Sequence, residues 1–437
     1  MKTNIFLIVC LGSYLFPIIC LGQKIDNYTL SIDKRDKDAT NIYVDCSFTV
    51  DFESADSIYM NFGGDAQLSI ENLLIQGEGN TPLKYDYRKE AQKLIFYNSS
   101  SRKTAISMSY DYTNLTSFFI YGKGDAELWE TSYDEYYYPY IPNTYINFSV
   151  NSSLPDSMSL VSSYPMVNDS PNNYSCKING MLAQSLSLAF LNKKAYTQST
   201  ATIPDTVQIY QIRDMQCNRK RYNELLELTS KSIRYFSDVY KEEYMSESQN
   251  ITSYPVFLFH NGEGFSNRYN IGFISASQEK FSTYPDIYPL VHEIGHRWLG
   301  EWTLLISDGQ AGAYFLKESL NEFMTFMFVR SYFGEKTYKT LIDKCEEKYQ
   351  NIKNSANDIP LIDITKNNNN IIVYNKGPWV LDCIAQKIGY DNLIESIALF
   401  YQQFARKQSL CYNDFIDLLA NRYPEAGNEL DARVRNK

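Results

Sequence analysis

Residues 291–300, VHEIGHRWLG, contain two of the three histidines in the chain. His292 and His296 are four apart, so on a helix they share one face about one turn from each other. That spacing lets two imidazoles grip one zinc ion. It also sets Glu293 beside them, where a general base for a zinc-activated water stands. A surface helix with two solvated histidines has the same pattern, so H-E-x-x-H alone does not decide between the two. The scarcity of histidine elsewhere weighs toward the metal. A catalytic zinc takes three protein ligands and keeps a fourth position for water. The stretch AYFLKESLNEFMTFMF, residues 313–328, offers Glu318 and, one turn on, Glu322. Either alone reads as an ordinary exposed helix glutamate. Glu318 stands nearer the histidine helix in the chain and is taken as the third ligand; Glu322 then suits holding a ligand histidine's other N–H in place.

The elements that must carry these residues are legible around them. Asp286 can cap the histidine helix, Pro289 is tolerated in its first turn, and Gly300 stops it. Residues 313–328 read as a helix with Phe315, Leu320, Phe323, Met324 and Met327 as its apolar side. Another helix over 222–244 places Leu225, Leu226, Leu228, Ile233, Phe236 and Val239 on one face. SYPVFLFH and NIGFISAS read as strands between the two. Before residue 203 the pattern is short alternating runs such as NIYVDCSFTVDF, with an Asn- and Ser-rich loop at 167–175. The expected fold class is α+β. An N-terminal antiparallel β domain (a saddle or a sandwich) spans 23–203, and a mostly helical catalytic domain spans 204–437.

The chain has 437 residues and a formal net charge of −10, with no basic footprint for nucleic acid. Its 37 tyrosines favour strands and can line a binding surface, a weak functional signal. Lys2, the apolar run 5–22 and the small-residue exit Cys20-Leu21-Gly22 read as an export signal. A retained anchor is the alternative, although Ser13, Tyr14 and Pro17 interrupt the run. The expected product is secreted, periplasmic or on the cell surface, with no stable membrane span once residues 1–22 are removed. Six cysteines remain (Cys46, Cys176, Cys217, Cys345, Cys383 and Cys411), none at metal-type spacing, and export makes disulfides possible among them.

HEIGHRW and KESLNEF together resemble the gluzincin metallopeptidases, and among them the zinc aminopeptidase family that includes leukotriene A4 hydrolase and aminopeptidase N. Arg297-Trp298 matches the x-W that follows the family's histidines, and Glu318 matches the Glu of its N-E-G-F-A-like helix. VYNKGPWVLDCI, residues 373–384, resembles the family's Y-E-K-G-x-x-V-L segment, with Lys376-Gly377 and Val380-Leu381 in register. The resemblance implies a thermolysin-like catalytic domain after the β domain and one zinc ion on His292, His296 and Glu318. It also implies Glu293 as base and Tyr374 as hydrogen-bond donor to the transition state. The spacing from His296 to Glu318 is longer than the family's, and a loop around 304–313 can absorb the extra residues.

One family feature is missing. The G-x-M-E-N segment, whose Glu binds a substrate's free amine, corresponds to SNRYNIGFIS, residues 266–275. Asn270 and Gly272 match, but Tyr269 stands at the Glu position and cannot neutralise an ammonium as a carboxylate does. Glu263 in the neighbouring loop is a candidate replacement, and the strand can still align a substrate backbone. His260 reads as structural. The expected function is hydrolysis of a peptide or protein substrate, with an aminopeptidase as the finer expectation that Tyr269 leaves open. The alternatives are a non-catalytic peptide- or glycan-binding protein on the same fold and a glycyl-aminopeptidase-like enzyme.

Overall fold

The computed structural model describes residues 24–35, 41–63, 68–80, 82–98, 102–114, 120–121, 128–131, 137–142, 144–162, 164, 166–183, 186, 188–194, 196–203, 205–212, 219–242, 254–259, 268–270, 273–277, 288–300, 310–364, 369–405 and 410–437. Residues 1–22, read above as an export signal, and Cys217, His260, Glu263, Gly272 and Asp286 lie outside them.

Alternation builds the first half. In the strand Asn41–Asp51, Ile42, Val44, Cys46, Phe48 and Val50 are buried while Asn41, Asp45 and Ser47 face outward, as a strand with one face on a core requires. That strand lies inside a seven-stranded sheet. Its spatial order is Val167–Ser170, Asn173–Leu182, Tyr145–Ser153, Lys24–Asp33, Asn41–Asp51, Lys103–Asn114, Leu68–Gly77. The expected antiparallel pairing holds through this sheet except at one place. Lys24–Asp33 pairs in parallel with Tyr145–Ser153, which the long intervening chain permits and a tight hairpin would not. The expected loop at 167–175 is also corrected. It is a hairpin of Val167–Ser170 and Asn173–Leu182, closed by a turn in which Asn172 adopts φ 69°, a left-handed conformation that Asn tolerates. Sheets of four and three strands complete this half among the described residues.

A five-stranded sheet follows in the order Tyr196–Ile203, Asp205–Ile212, Tyr254–Phe259, Phe273–Ser277, Arg268–Asn270. The division expected after residue 203 falls between two paired strands of this sheet. The described helices are α1 (Arg219–Tyr240), α2 (Tyr288–Gly295), α3 (Leu320–Phe333), α4 (Glu335–Gln350), α5 (Gly377–Ile388), α6 (Tyr390–Phe404), α7 (Tyr412–Arg422) and α8 (Pro424–Arg435). None of them is long and apolar enough to cross a membrane. The expected apolar side of α3 is corrected too: every residue from Leu320 to Val329 is buried. It runs through the centre of the helices with α2, α4 and α5 packed around it, so its polar residues have no solvent to face and must find partners.

Candidate metal centre

The histidine helix is shorter than its sequence suggested. α2 ends at Gly295, and residues 296–300 continue as a turn in which the His296 amide still donates to the His292 carbonyl at 3.3 Å. Two devices fix this end. Trp298 is fully buried and stacks on Phe236 and Tyr240 of α1, with ring centroids 5.5 and 5.9 Å away. Asn321 of α3 donates from its side-chain amide to the same His292 carbonyl at 2.7 Å. Gly295 makes that approach possible, because a Cβ there would overlap the Asn321 amide oxygen.

Glu318 arrives on a widened turn. Phe315–Ser319 is a π-helical segment, closed by the Leu320 amide reaching the Phe315 carbonyl, and α3 continues from it. Tyr374 arrives on a second one, Ile372–Lys376, closed by the Gly377 amide reaching the Ile372 carbonyl and continued by α5. Such turns re-aim side chains that a regular helix would point elsewhere, and they recur at functional sites.

The three segments converge. The Nε2 atoms of His292 and His296 lie 3.3 and 3.4 Å from Glu318 Oε2, and all three ligand atoms fall within 4.8 Å of one another. Zinc bonds of about 2.0–2.1 Å in tetrahedral array set their donors about 3.3 Å apart, so the carboxylate stands at coordination distance from both rings. The opposite ring nitrogens are occupied. His296 Nδ1 lies 3.0 Å from the Leu299 carbonyl, which can only accept, so the proton sits on Nδ1 and Nε2 keeps its lone pair. His292 Nδ1 lies 2.6 Å from Glu322 Oε2, which orients that ring in the same way. Residues, tautomers and spacing fit one zinc ion.

The electrostatics agree. Burial disfavours charge on His292, but the Glu318 and Glu322 carboxylates override it and hold its pKa well above the ordinary value. Burial would raise Glu318, yet His296 and His292 hold it well below the usual carboxylate range. An imidazole that ligates a metal must give up its proton, so proton and metal compete here. Tyr374 stands at the edge, its hydroxyl donating to Glu318 Oε2 at 3.0 Å. Burial first, and the adjacent Glu318 second, push its pKa far above the usual phenol value. Glu293 is half-buried on the first residue after His292.

The residues singled out in the sequence, His292, Glu293, His296, Glu318, Glu322 and Tyr374, are therefore brought to one place or to its rim. Tyr269 and Asn270 lie on Arg268–Asn270, the edge strand of the five-stranded sheet, which borders α2. Asn321, Ser319 and Gly295 carried no such signal. An Asn two residues before an apolar run reads as surface, and its role appears only when α3 proves to be buried all round.

Residues 224–434 match the peptidase family M1 domain. No curated protein is a significant match in sequence. Among solved structures, a mutant of the M1 zinc metallopeptidase from Deinococcus radiodurans is similar over 95% of this chain and 95% of its own, with a TM-score of 0.68 and 14% identity. A mutant of that enzyme bound to a Tyr-Ser-Ala substrate covers 95% and 94%, at a TM-score of 0.68 and 13% identity. Native yeast LTA4 hydrolase is similar over 94% of this chain and 67% of its own, with a TM-score of 0.71 and 17% identity. At these identities the likeness is one of fold.

Proposed function

We infer that this chain is a zinc metallopeptidase of the M1 type, in the gluzincin group of aminopeptidase N and leukotriene A4 hydrolase, and an exported enzyme that cleaves short peptides. The observation that carries the reading is the meeting of two imidazoles and a tyrosine hydroxyl on one carboxylate oxygen, Glu318 Oε2. His292, His296 and Glu318 would hold the ion. Zinc, when bound, acts as a Lewis acid and lowers the pKa of water from 15.7 toward about 7. Glu293 takes the proton of the attacking water and returns it to the leaving amine. The Tyr374 hydroxyl, kept protonated at neutral pH by its burial, donates to the developing oxyanion, a contribution of about 3 kcal/mol for one such donor. Glu322 holds the His292 ring.

The edge strand Arg268–Asn270 offers main-chain groups to an extended substrate beside α2. Tyr269, Asn270, Gly272 and Glu263 are the candidates for contacting its amino end. The structure of the Deinococcus enzyme's mutant with a Tyr-Ser-Ala substrate supports a peptide of this size. One peptide, free or N-acetylated, tests the reading, with Glu293→Gln as the blank. Cleavage of the free form alone means that an amine is read, with Glu263 the first residue to substitute. Cleavage of both means that Tyr269 leaves the site open to internal bonds. Cleavage of neither would overturn the peptidase reading. Export is tested separately: the mature protein outside the cell should begin at Gln23, and an intact residue 1 there would contradict a cleaved signal.

A further inference from the structure

We infer that Ser319 is a positioning residue that clamps the two widened turns together and so fixes the Tyr374 hydroxyl against Glu318. The inference rests on the proposed role of Tyr374.

One amide is missing where the second turn runs into α5. In the turn Ile372–Lys376 the Gly377 N–H is taken by the Ile372 carbonyl. Continuing that wide pattern by one residue would pair the Val373 carbonyl with the N–H of residue 378, but residue 378 is proline and has none. Val373 is fully buried, so water cannot serve its carbonyl either. The donor is Ser319 Oγ, 2.7 Å away on the other turn. Ser319 is itself fully buried. Room for it comes from Gly377, where a Cβ would overlap the Ser319 hydroxyl and its own Cβ.

The bond closes a ring. Ser319 follows Glu318 in the chain and Val373 precedes Tyr374. The Ser319–Val373 link and the Tyr374–Glu318 link at 3.0 Å therefore join the same two dipeptides. In a ring of four residues, loosening one link lets the other drift. Pro378 creates the vacancy, Gly377 admits the hydroxyl, and Ser319 fills it. None of the three is among the candidate ligand residues.

The test is a double-mutant cycle on the zinc-loaded enzyme with a free peptide. Ser319→Ala should lower kcat roughly tenfold with KM little changed, because sub-ångström misplacement of a donor weakens the transition state more than the bound peptide. In a Tyr374→Phe background the same change should cost less than about twofold, since there is no hydroxyl left to misplace. A merely structural serine would cost the same factor in both backgrounds, and that result would overturn the clamp while leaving the peptidase reading intact. If Tyr374→Phe alone leaves kcat unchanged, the role of Tyr374 fails and the clamp falls with it. If Ser319→Ala does not fold, Gly377→Ala pushes on the same ring from the other turn and is read by the same cycle. Cobalt-substituted enzyme supplies an independent signature: Ser319→Ala should alter its visible absorption, and an unchanged spectrum with full activity would also overturn the inference.

Discussion

In the β-rich half, Tyr28, Tyr110, Tyr137 and Tyr138 are fully buried, and their hydroxyls donate to the main-chain carbonyls of Pro139, Tyr137, Leu186 and Ala183 at 2.7–3.0 Å. In the helical half, Tyr374 is only partly buried, and its hydroxyl meets a carboxylate oxygen that also faces two imidazoles. One residue type thus performs two tasks, and the partner separates them. A neutral carbonyl at the end of a buried phenol pins a segment, here 137–141, against the sheet. A charged, ligand-bearing partner at the rim leaves the hydroxyl able to exchange one acceptor for another. Buried phenols such as these four are therefore facts about the core, while Tyr374 is the one proposed to bear on chemistry.

Substitutions that separate activity from stability should divide along this line. The largest effect is expected at Glu293: Glu293→Gln should lower kcat about a thousandfold or more with native melting behaviour, since proton transfer by a placed carboxylate is worth about 10²–10⁴. Tyr374→Phe should cost about 10²–10³ in kcat with little change in melting temperature. Comparable stability loss there would erase the contrast with the buried phenols. Glu322→Gln should weaken zinc binding about 10–100-fold by releasing the His292 ring, measured by competition with a chelator of known affinity. Tyr138→Phe should give the opposite result to Tyr374→Phe. Its kcat should be unchanged and its stability lower by about 1 kcal/mol, because the Ala183 carbonyl loses its buried donor.

The smallest effect lies in the β-rich half and depends on pH. The Glu53 amide and Arg102 hold Asp51 below the usual carboxylate range. A carboxyl whose folded pKa is depressed stabilises above its unfolded pKa, about 3.9, and loses that contribution as pH falls through the folded value. Asp51→Asn should therefore melt below the unsubstituted protein at neutral pH, and the gap should close in acid.

Much of this was readable in the chain because period and spacing are local. Alternation at 41–52 gave the strand its inward face, and four-residue spacing put His292 and His296 on one face. The mixed sheet was not readable, since the pairing of Lys24–Asp33 with Tyr145–Ser153 joins segments far apart in sequence. Nor was the burial of α3, whose Asn321, Glu322 and Thr325 look like a polar face until α2, α4 and α5 close around them. The same blindness hid Asn321 and Ser319, which matter through what they touch. The disulfides that export would make possible are not formed among the described cysteines: Cys46, Cys176, Cys345, Cys383 and Cys411 are free.

The central claim is that His292, His296 and Glu318 together hold one zinc ion on which peptide cleavage depends. Metal content and peptide hydrolysis measured together, for the unsubstituted protein and for Glu318→Ala, test it most directly. The expected result is one zinc per chain, activity lost to a chelator and restored by zinc, and both metal and activity lost in Glu318→Ala. Full hydrolysis by metal-free protein, or a stoichiometric zinc and undiminished activity in Glu318→Ala, would contradict the account.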